Sequence, residues 1–76
     1  MVFIRNIINL HKEMLTGEML EVHYTSHKSS LIYKDDRLET CNGDLKIVRT
    51  RTSNRCVIIL DCSEVERVVL MKEETL

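Results

Sequence analysis

Residues 42–60 read NGDLKIVRTRTSNRCVIIL and contain the clearest structural signals of the chain. Both residues of Asn42-Gly43 tolerate positive φ, so the pair predicts a type I′ turn between two antiparallel strands. A strand is expected directly after this turn, over residues 44–52, and Ser53-Asn54 then forms another turn. The nearly all-apolar residues 56–60 predict a further strand, central in its sheet and covered on both faces.

Strand patterns continue on both sides of this stretch. Leu20, Val22 and Tyr24 alternate with polar residues, which is typical of a strand with one buried face. The sequence predicts strands over residues 18–26, 30–34, 37–41, 44–52, 56–60 and 65–71, with a solvated tail over residues 72–76.

The N-terminal segment shows a helical period instead. Over residues 3–15, apolar side chains and one histidine recur at spacings of three and four, which predicts an amphipathic helix. The stripe consists of Phe3, Ile4, Ile7, Ile8, His11, Met14 and Leu15. Gly17 follows the stripe and suits the left-handed position that often ends a helix. We expect the helix to cover the core of a β-rich domain.

One helix followed by five or six short antiparallel strands predicts a single α+β, mostly β, domain over residues 1–76. This order is similar to that of Sm-like barrels, which implies a small bent sheet or an Sm/SH3-like barrel. The resemblance would place an RNA-binding loop at Asp35-Asp36, a pair that also suits a simple turn. The glycine that Sm-like barrels usually carry in the second strand is absent from residues 30–34. No site residue is therefore transferred from that family, and an open four- to six-stranded sheet is the other expectation.

Charge is segregated along the chain. The chain has 11 basic and 12 acidic residues and a net charge of -1, yet residues 45–60 contain no acidic residue. The candidate residues for binding a partner or a nucleic acid are the four cations of this segment, Lys46, Arg49, Arg51 and Arg55. Three interpretations are open: a solvated face paired with acids such as Glu39 across the hairpin, a protein partner, or nucleic acid. The near-neutral charge and the presence of only three aromatic residues count against nucleic acid.

The fourth strand contains a conflict in its alternation. In an unbroken strand, Leu45 and Ile47 share a face with Arg49 and Arg51, which would turn the arginines toward the core. Burying an unpaired charge is costly. A bulge near Ile47-Val48 would reverse the alternation and expose both arginines, so we expect a bulge or a bend there.

Cysteines and histidines do not predict an active site or a metal site. The three cysteines form no CxxC pair and are expected to be free thiols, with Cys56 buried and Cys62, in a turn, the better reactive thiol. The spacing of His23 and His27 matches no zinc-ligand pattern. No GxSxG, HExxH or glycine-rich phosphate loop occurs. We therefore expect no enzymatic activity, no cofactor and no metal.

The remaining features concern location and assembly. The N-terminus lacks the apolar core of a signal peptide, and no run suits a membrane span, so a cytoplasmic protein is expected. Oligomerisation can supplement the thin stability margin of a short chain, and the absence of proline leaves strand edges able to pair. We predict a non-enzymatic binding or regulatory domain that acts through protein–protein contacts and self-associates as a homo-oligomer. The alternative is an RNA- or DNA-binding small β-barrel that uses the basic strand over residues 46–55.

Overall fold

The structure is a computed structural model that describes residues 4–50 and 56–72. One helix precedes six antiparallel strands, so the mostly β, α+β class is confirmed. The elements are α1 (Ile4–Glu13), β1 (Glu18–Tyr24), β2 (Ser29–Tyr33), β3 (Arg37–Cys41), β4 (Asp44–Arg49), β5 (Cys56–Leu60), a short 3₁₀ helix (Cys62–Glu64) and β6 (Val65–Lys72).

The strands form two three-stranded sheets. The first has the order β2-β1-β6 and the second the order β3-β4-β5. Within residues 4–50 and 56–72 no strand pair joins the two sheets, so the barrel is not closed. The middle strands are β1 and β4, and the other four lie at sheet edges.

The hairpin between β3 and β4 is confirmed. Asn42 has φ 51° and Gly43 has φ 84°, and the strands pair in register up to Cys41 opposite Asp44. Two residues with positive φ are what a tight hairpin needs, because their twist matches that of the flanking strands. This hairpin sets which residues of β3 and β4 lie opposite each other.

The core lies between the helix and the inner faces of the two sheets. Its fully buried members are contributed by α1, β1, β2, β4, β5 and the start of β6: Ile7, Leu20, Val22, Ile32, Leu45, Ile47, Leu60 and Val65. Helix α1 ends at Glu13, earlier than predicted, and Leu15 is 68% exposed although it was expected in the buried stripe. Gly17 does have positive φ, 88°, but lies in the turn that leads into β1.

The position of β5 differs from the prediction. We expected residues 56–60 to be a central strand covered on both faces, but β5 is an edge strand that pairs with β4 on one side. Val57 is 47% exposed and Ile59 is 54% exposed. An apolar run shows only that a strand can be buried, because the position of a strand in its sheet is set by the strands that pair with it. Among the described residues, no further strand lies beyond β5.

The expected bulge in the fourth strand is also wrong for the described part of that strand. Strand β4 runs in unbroken register, with residues 44–48 paired to β3 and residues 45–49 paired to β5. Leu45 and Ile47 are fully buried, and by alternation Arg49 lies on the same face. Among the described strand pairs, a register shift lies instead between His23 and Tyr24 of β1, where β1 pairs with β6.

Candidate functional site

The structure describes only two of the four cations that were predicted to bind a partner, Lys46 and Arg49, and these two are not neighbours. Arg51 and Arg55 lie outside the described residues. Lys46 and Arg49 are three positions apart on β4, so they lie on opposite faces of the second sheet. Each therefore has its own surroundings.

Arg49 lies on the inner face and is bound to Asp36 by two hydrogen bonds. Its Nε donates to Asp36 Oδ1 at 3.1 Å, and its Nη2 donates to Oδ2 at 3.0 Å. Only 20% of the Arg49 side chain and 1% of the Asp36 side chain are exposed. Paired hydrogen bonds of this kind are strong because both groups are charged and the planar guanidinium matches the carboxylate. The inward arginine is thus compensated by a buried acid, and no bulge is needed.

Two further contacts of Arg49 reach strand β2 of the other sheet. Nη2 donates to the backbone carbonyl of Leu31 at 2.7 Å. The guanidinium carbon lies 4.8 Å from the centre of the Tyr33 ring, which is a cation–π distance. Arg49 therefore connects β4 of the second sheet to β2 of the first.

The turn between β2 and β3 positions Asp36 for this role. The Tyr33 amide donates to Asp36 Oδ2 at 2.8 Å, and the Asp36 amide donates to the Tyr33 carbonyl at 3.1 Å. His11 of α1 also contacts the Tyr33 carbonyl through Nε2, at 3.0 Å. A carbonyl only accepts, so His11 Nε2 is the donor. Helix and both sheets thus converge on this turn, which we call the Arg49–Asp36 junction (Leu31, Tyr33, Asp36 and Arg49).

The contact with Asp36 favours the charged form of Arg49. The hydrogen bond to Asp36 raises the pKa of Arg49 above its ordinary value, and partial burial of the guanidinium opposes this rise. An arginine is already protonated at any physiological pH. The guanidinium of Arg49 is consequently a constant positive charge in the junction.

Lys46 lies on the outer face beside Glu39. Its Nζ is 3.8 Å from Glu39 Oε2, and Glu39 also pairs with Arg37 at 3.0 Å. Glu39 stands directly opposite Lys46 across the hairpin, so the predicted cross-strand pairing is confirmed for Lys46. A partly exposed pair of this kind contributes only ~0–1 kcal/mol to stability.

The two cysteine predictions are wrong. Cys56 is exposed and Cys62 is buried. Cys56 begins an edge strand, whereas the 3₁₀ helix directs Cys62 into the core cluster. Asp61 starts that helix by accepting from the Ser63 hydroxyl at 2.7 Å and from its amide at 3.0 Å, which lowers the pKa of the Asp61 carboxyl. Burial raises the pKa of the Cys62 thiol.

Thiol labelling of the folded protein is expected to distinguish these positions. Cys41 and Cys56 should react quickly with a chromogenic reagent, and Cys62 only slowly, because a buried thiol is both shielded and less often ionised. Mass spectrometry of peptides after a short exposure identifies the labelled residue. Denatured protein, in which all three should react alike, is the control, and rapid labelling of Cys62 in the folded state would contradict its burial.

His23 and His27 have different surroundings in the fold. His23 pairs with Glu21 on the outer face of the first sheet, and His27 lies in the turn between β1 and β2 with φ 69°. Within the described ranges no three His, Cys, Asp or Glu residues group closely enough to hold a metal ion. Nor does any helix in this part of the chain have the length and apolar character required to cross a membrane.

An exposed apolar surface that was not predicted lies at two sheet edges. Of the large hydrophobic residues that are exposed, most lie on β5 and β6: Val57, Ile59, Val69, Leu70 and Met71. We call these five residues the apolar edges. The apolar runs themselves were visible in the sequence, but residues 56–60 were assigned to the interior, and residues 65–71 were predicted only as a strand. Single exposed hydrophobic residues are common, whereas several on edge strands often mark an interaction surface.

Comparison of the chain with protein families, with curated proteins and with solved structures found no match in any of the three.

Proposed function

We propose that this protein is a non-enzymatic binding or regulatory domain that acts through protein–protein contacts and self-associates. The observation that carries the proposal is the position of the apolar edges. Val57 and Ile59 lie on the last strand of one sheet, and Val69, Leu70 and Met71 on the last strand of the other.

The backbone and the side chains of an apolar edge strand both favour pairing with a strand of another protein chain. An edge strand presents amide and carbonyl groups that a further strand can satisfy. The side chains of β5 and β6 add apolar area to such pairing. Soluble domains commonly protect their edges with proline or inward-pointing charges. The chain contains no proline, and residues 56–60 and 68–71 contain no charge.

Of the four candidate cations, Lys46 and Arg49 favour a protein partner over a nucleic acid, because both already lie beside carboxylates of this chain. Arg49 is engaged by Asp36 and by the Leu31 carbonyl, and Lys46 lies beside Glu39. Phosphate binding by either cation would have to compete with a carboxylate of the same chain. The RNA- or DNA-binding alternative then depends mainly on Arg51 and Arg55.

Sedimentation velocity over a range of protein concentrations tests the proposal. We expect the weight-average mass to rise reversibly with concentration, as mass action requires for a self-associating protein. Ile59→Thr and Leu70→Thr variants should shift this rise to higher concentration, and Thr25→Ser, at an exposed turn, is the matched control. A monomer at every concentration would contradict the proposal.

Titration with a fluorescent oligonucleotide tests the alternative function, RNA or DNA binding. Contacts with phosphates release counterions, so their affinity falls steeply as salt rises. We expect no salt-sensitive binding. Tight binding at low salt that is lost at high salt would instead favour the nucleic-acid function.

A further inference from the structure

We propose that the Arg49–Asp36 junction closes the free edge of strand β2 against strands of other chains. Strand β2 is the last strand of its sheet, in the order β2-β1-β6. Side chains of the same chain bind the backbone groups that an added strand would need. This inference goes beyond the proposed self-association, because it concerns an edge that the fold keeps unavailable and does not depend on the apolar edges.

The pairing with β1 determines which backbone groups of β2 face its open side. In an antiparallel pair, residues that bond to the neighbouring strand alternate with residues whose amide and carbonyl point away from it. The Tyr24 amide donates to the Lys28 carbonyl at 2.9 Å, at the start of this pairing. Every second residue of β2 counted from Lys28 therefore bonds to β1. The intervening residues Leu31 and Tyr33 direct their amides and carbonyls to the open side.

Side chains from three elements bind these outward groups. Arg49 of β4 donates to the Leu31 carbonyl at 2.7 Å, and Asp36 of the following turn accepts from the Tyr33 amide at 2.8 Å. His11 of α1 donates to the Tyr33 carbonyl at 3.0 Å. These are the kinds of bonds that the backbone of a further strand would form. The chain thus supplies side-chain substitutes for a neighbouring strand along this edge.

Burial and charge make these substitutes difficult to displace. The Asp36 side chain is 1% exposed, and its carboxylate holds the Arg49 guanidinium and the Tyr33 amide at the same time. A competing strand would offer the Leu31 carbonyl a neutral amide in place of a charged donor, and charge-assisted bonds are the stronger ones. Moving Arg49 away would also leave a buried carboxylate without its partner, which is costly.

The closure is specific to β2. Among the described residues, no side chain is bonded in this way to the backbone of β5 or β6. An edge with unpaired backbone groups can add a strand from another chain, and proteins protect such edges in various ways. The junction therefore removes one edge from the surfaces that the protein can use for association.

The double variant Asp36→Ala/Arg49→Met tests the inference. It removes the side-chain bonds to the Leu31 carbonyl and to the Tyr33 amide without leaving a buried charge unpaired. We expect it to self-associate through the opened edge, with a dissociation constant at least about tenfold lower than that of the wild-type protein. Sedimentation velocity over a range of concentrations measures this constant.

Two control variants leave the edge of β2 closed. Glu39→Ala/Lys46→Met makes the same kind of change at an ion pair on the outer face of β4, and its association should match that of the wild-type protein. Ile47→Ala leaves a cavity in the core and is expected to destabilise the fold at least as much as the double variant. It controls for association that follows from partial unfolding.

Amide hydrogen exchange locates the new contact. When the concentration of the double variant is raised, exchange at Leu31 and Tyr33 should slow by at least about tenfold, because these amides gain acceptors on a second strand. The exchange rate of the Ile47 amide, on the middle strand of the second sheet, serves as the reference for global unfolding. In the wild-type protein, exchange at Leu31 relative to Ile47 should not depend on concentration.

Three outcomes would overturn the inference. The first is a double variant that associates no more than the Glu39→Ala/Lys46→Met control, and the second is equal association of Ile47→Ala. The third is association without slower exchange at Leu31 and Tyr33, which would place the contact elsewhere. If the double variant does not fold, Arg49→Lys replaces it in the same comparisons, because lysine keeps the charge but lacks the planar group that binds carboxylate and carbonyl together.

The proposed self-association has a separate outcome. A wild-type protein that stays monomeric would contradict the proposed function. Association of the double variant through β2 would nevertheless support the closure of this edge. Conversely, a wild-type protein that associates, together with a double variant that behaves like its control, would support the proposed function and contradict the closure.

Discussion

Replacing Asp36 with alanine is expected to lower the free energy of unfolding by about 3 kcal/mol, because the largely buried side chain of Arg49 then loses its charged partner. Arg49 would keep the Leu31 carbonyl but lose both hydrogen bonds to the carboxylate. The Tyr33 amide would lose an acceptor as well. A domain of this size has a total stability of only about 4–11 kcal/mol, so the expected loss is a large share of it.

Urea denaturation of Asp36→Ala and Asp35→Ala gives a matched comparison. Asp35 is the same residue type at the neighbouring position, but it is exposed. The contacts of an exposed carboxylate contribute only ~0–1 kcal/mol, so replacing Asp35 should cost much less than replacing Asp36. Similar losses for the two variants would contradict a structural role for the Arg49–Asp36 junction.

A double variant tests whether the loss of stability comes from leaving the charge of Arg49 buried without a partner. If Asp36→Ala is costly because it strands a charge, adding Arg49→Met should recover part of the lost stability. The methionine retains much of the apolar stem of the arginine but not the charged group. Additive losses in the double variant would mean that the two side chains stabilise the fold independently.

Ile47→Ala is expected to destabilise the protein by about 3 kcal/mol, because the substitution leaves a cavity in the core. Ile47 is fully buried and lies on β4, the middle strand of its sheet. Ile59 is one strand away and 54% exposed. Ile59→Ala should cost much less, within about 1 kcal/mol, since it removes little buried surface and mainly changes strand propensity.

Thermal or urea unfolding at low protein concentration measures both isoleucine variants. Low concentration is needed because Ile59 belongs to the apolar edges, and its loss would also reduce stabilisation by self-association. Equal losses at the two positions would restore the prediction that β5 is buried on both faces. A larger loss for Ile47→Ala supports β5 as an edge strand.

Much of the fold was predictable because its signals are local. Helical spacing located α1, alternation located β1, and Asn42-Gly43 located the hairpin between β3 and β4. The pairing of Lys46 with Glu39 was predictable as well, because the two-residue turn sets the cross-strand register. Each of these depends on residues that are close in the sequence.

The site was less predictable because its contacts are long-range. Arg49 was interpreted as exposed and Asp35-Asp36 as a turn, and no contact between them was predicted. Asp36 lies 13 positions from Arg49, and nothing in either segment indicates that they meet. A signal was present in the strand alternation, which placed Arg49 on the core face. Without a known partner, a bulge was the less costly interpretation.

The local sequence was sufficient for the type and order of the elements, because dihedral preferences and side-chain periodicity act over a few residues. It could not decide that β5 and β6 end their sheets, or that Cys62 is buried while Cys56 is exposed. Burial depends on which strands lie beside and above a residue, and that is set by packing of segments distant in the chain. The same packing turned Arg49 from a predicted binding residue into the connection between two sheets, and it left the apolar edges exposed.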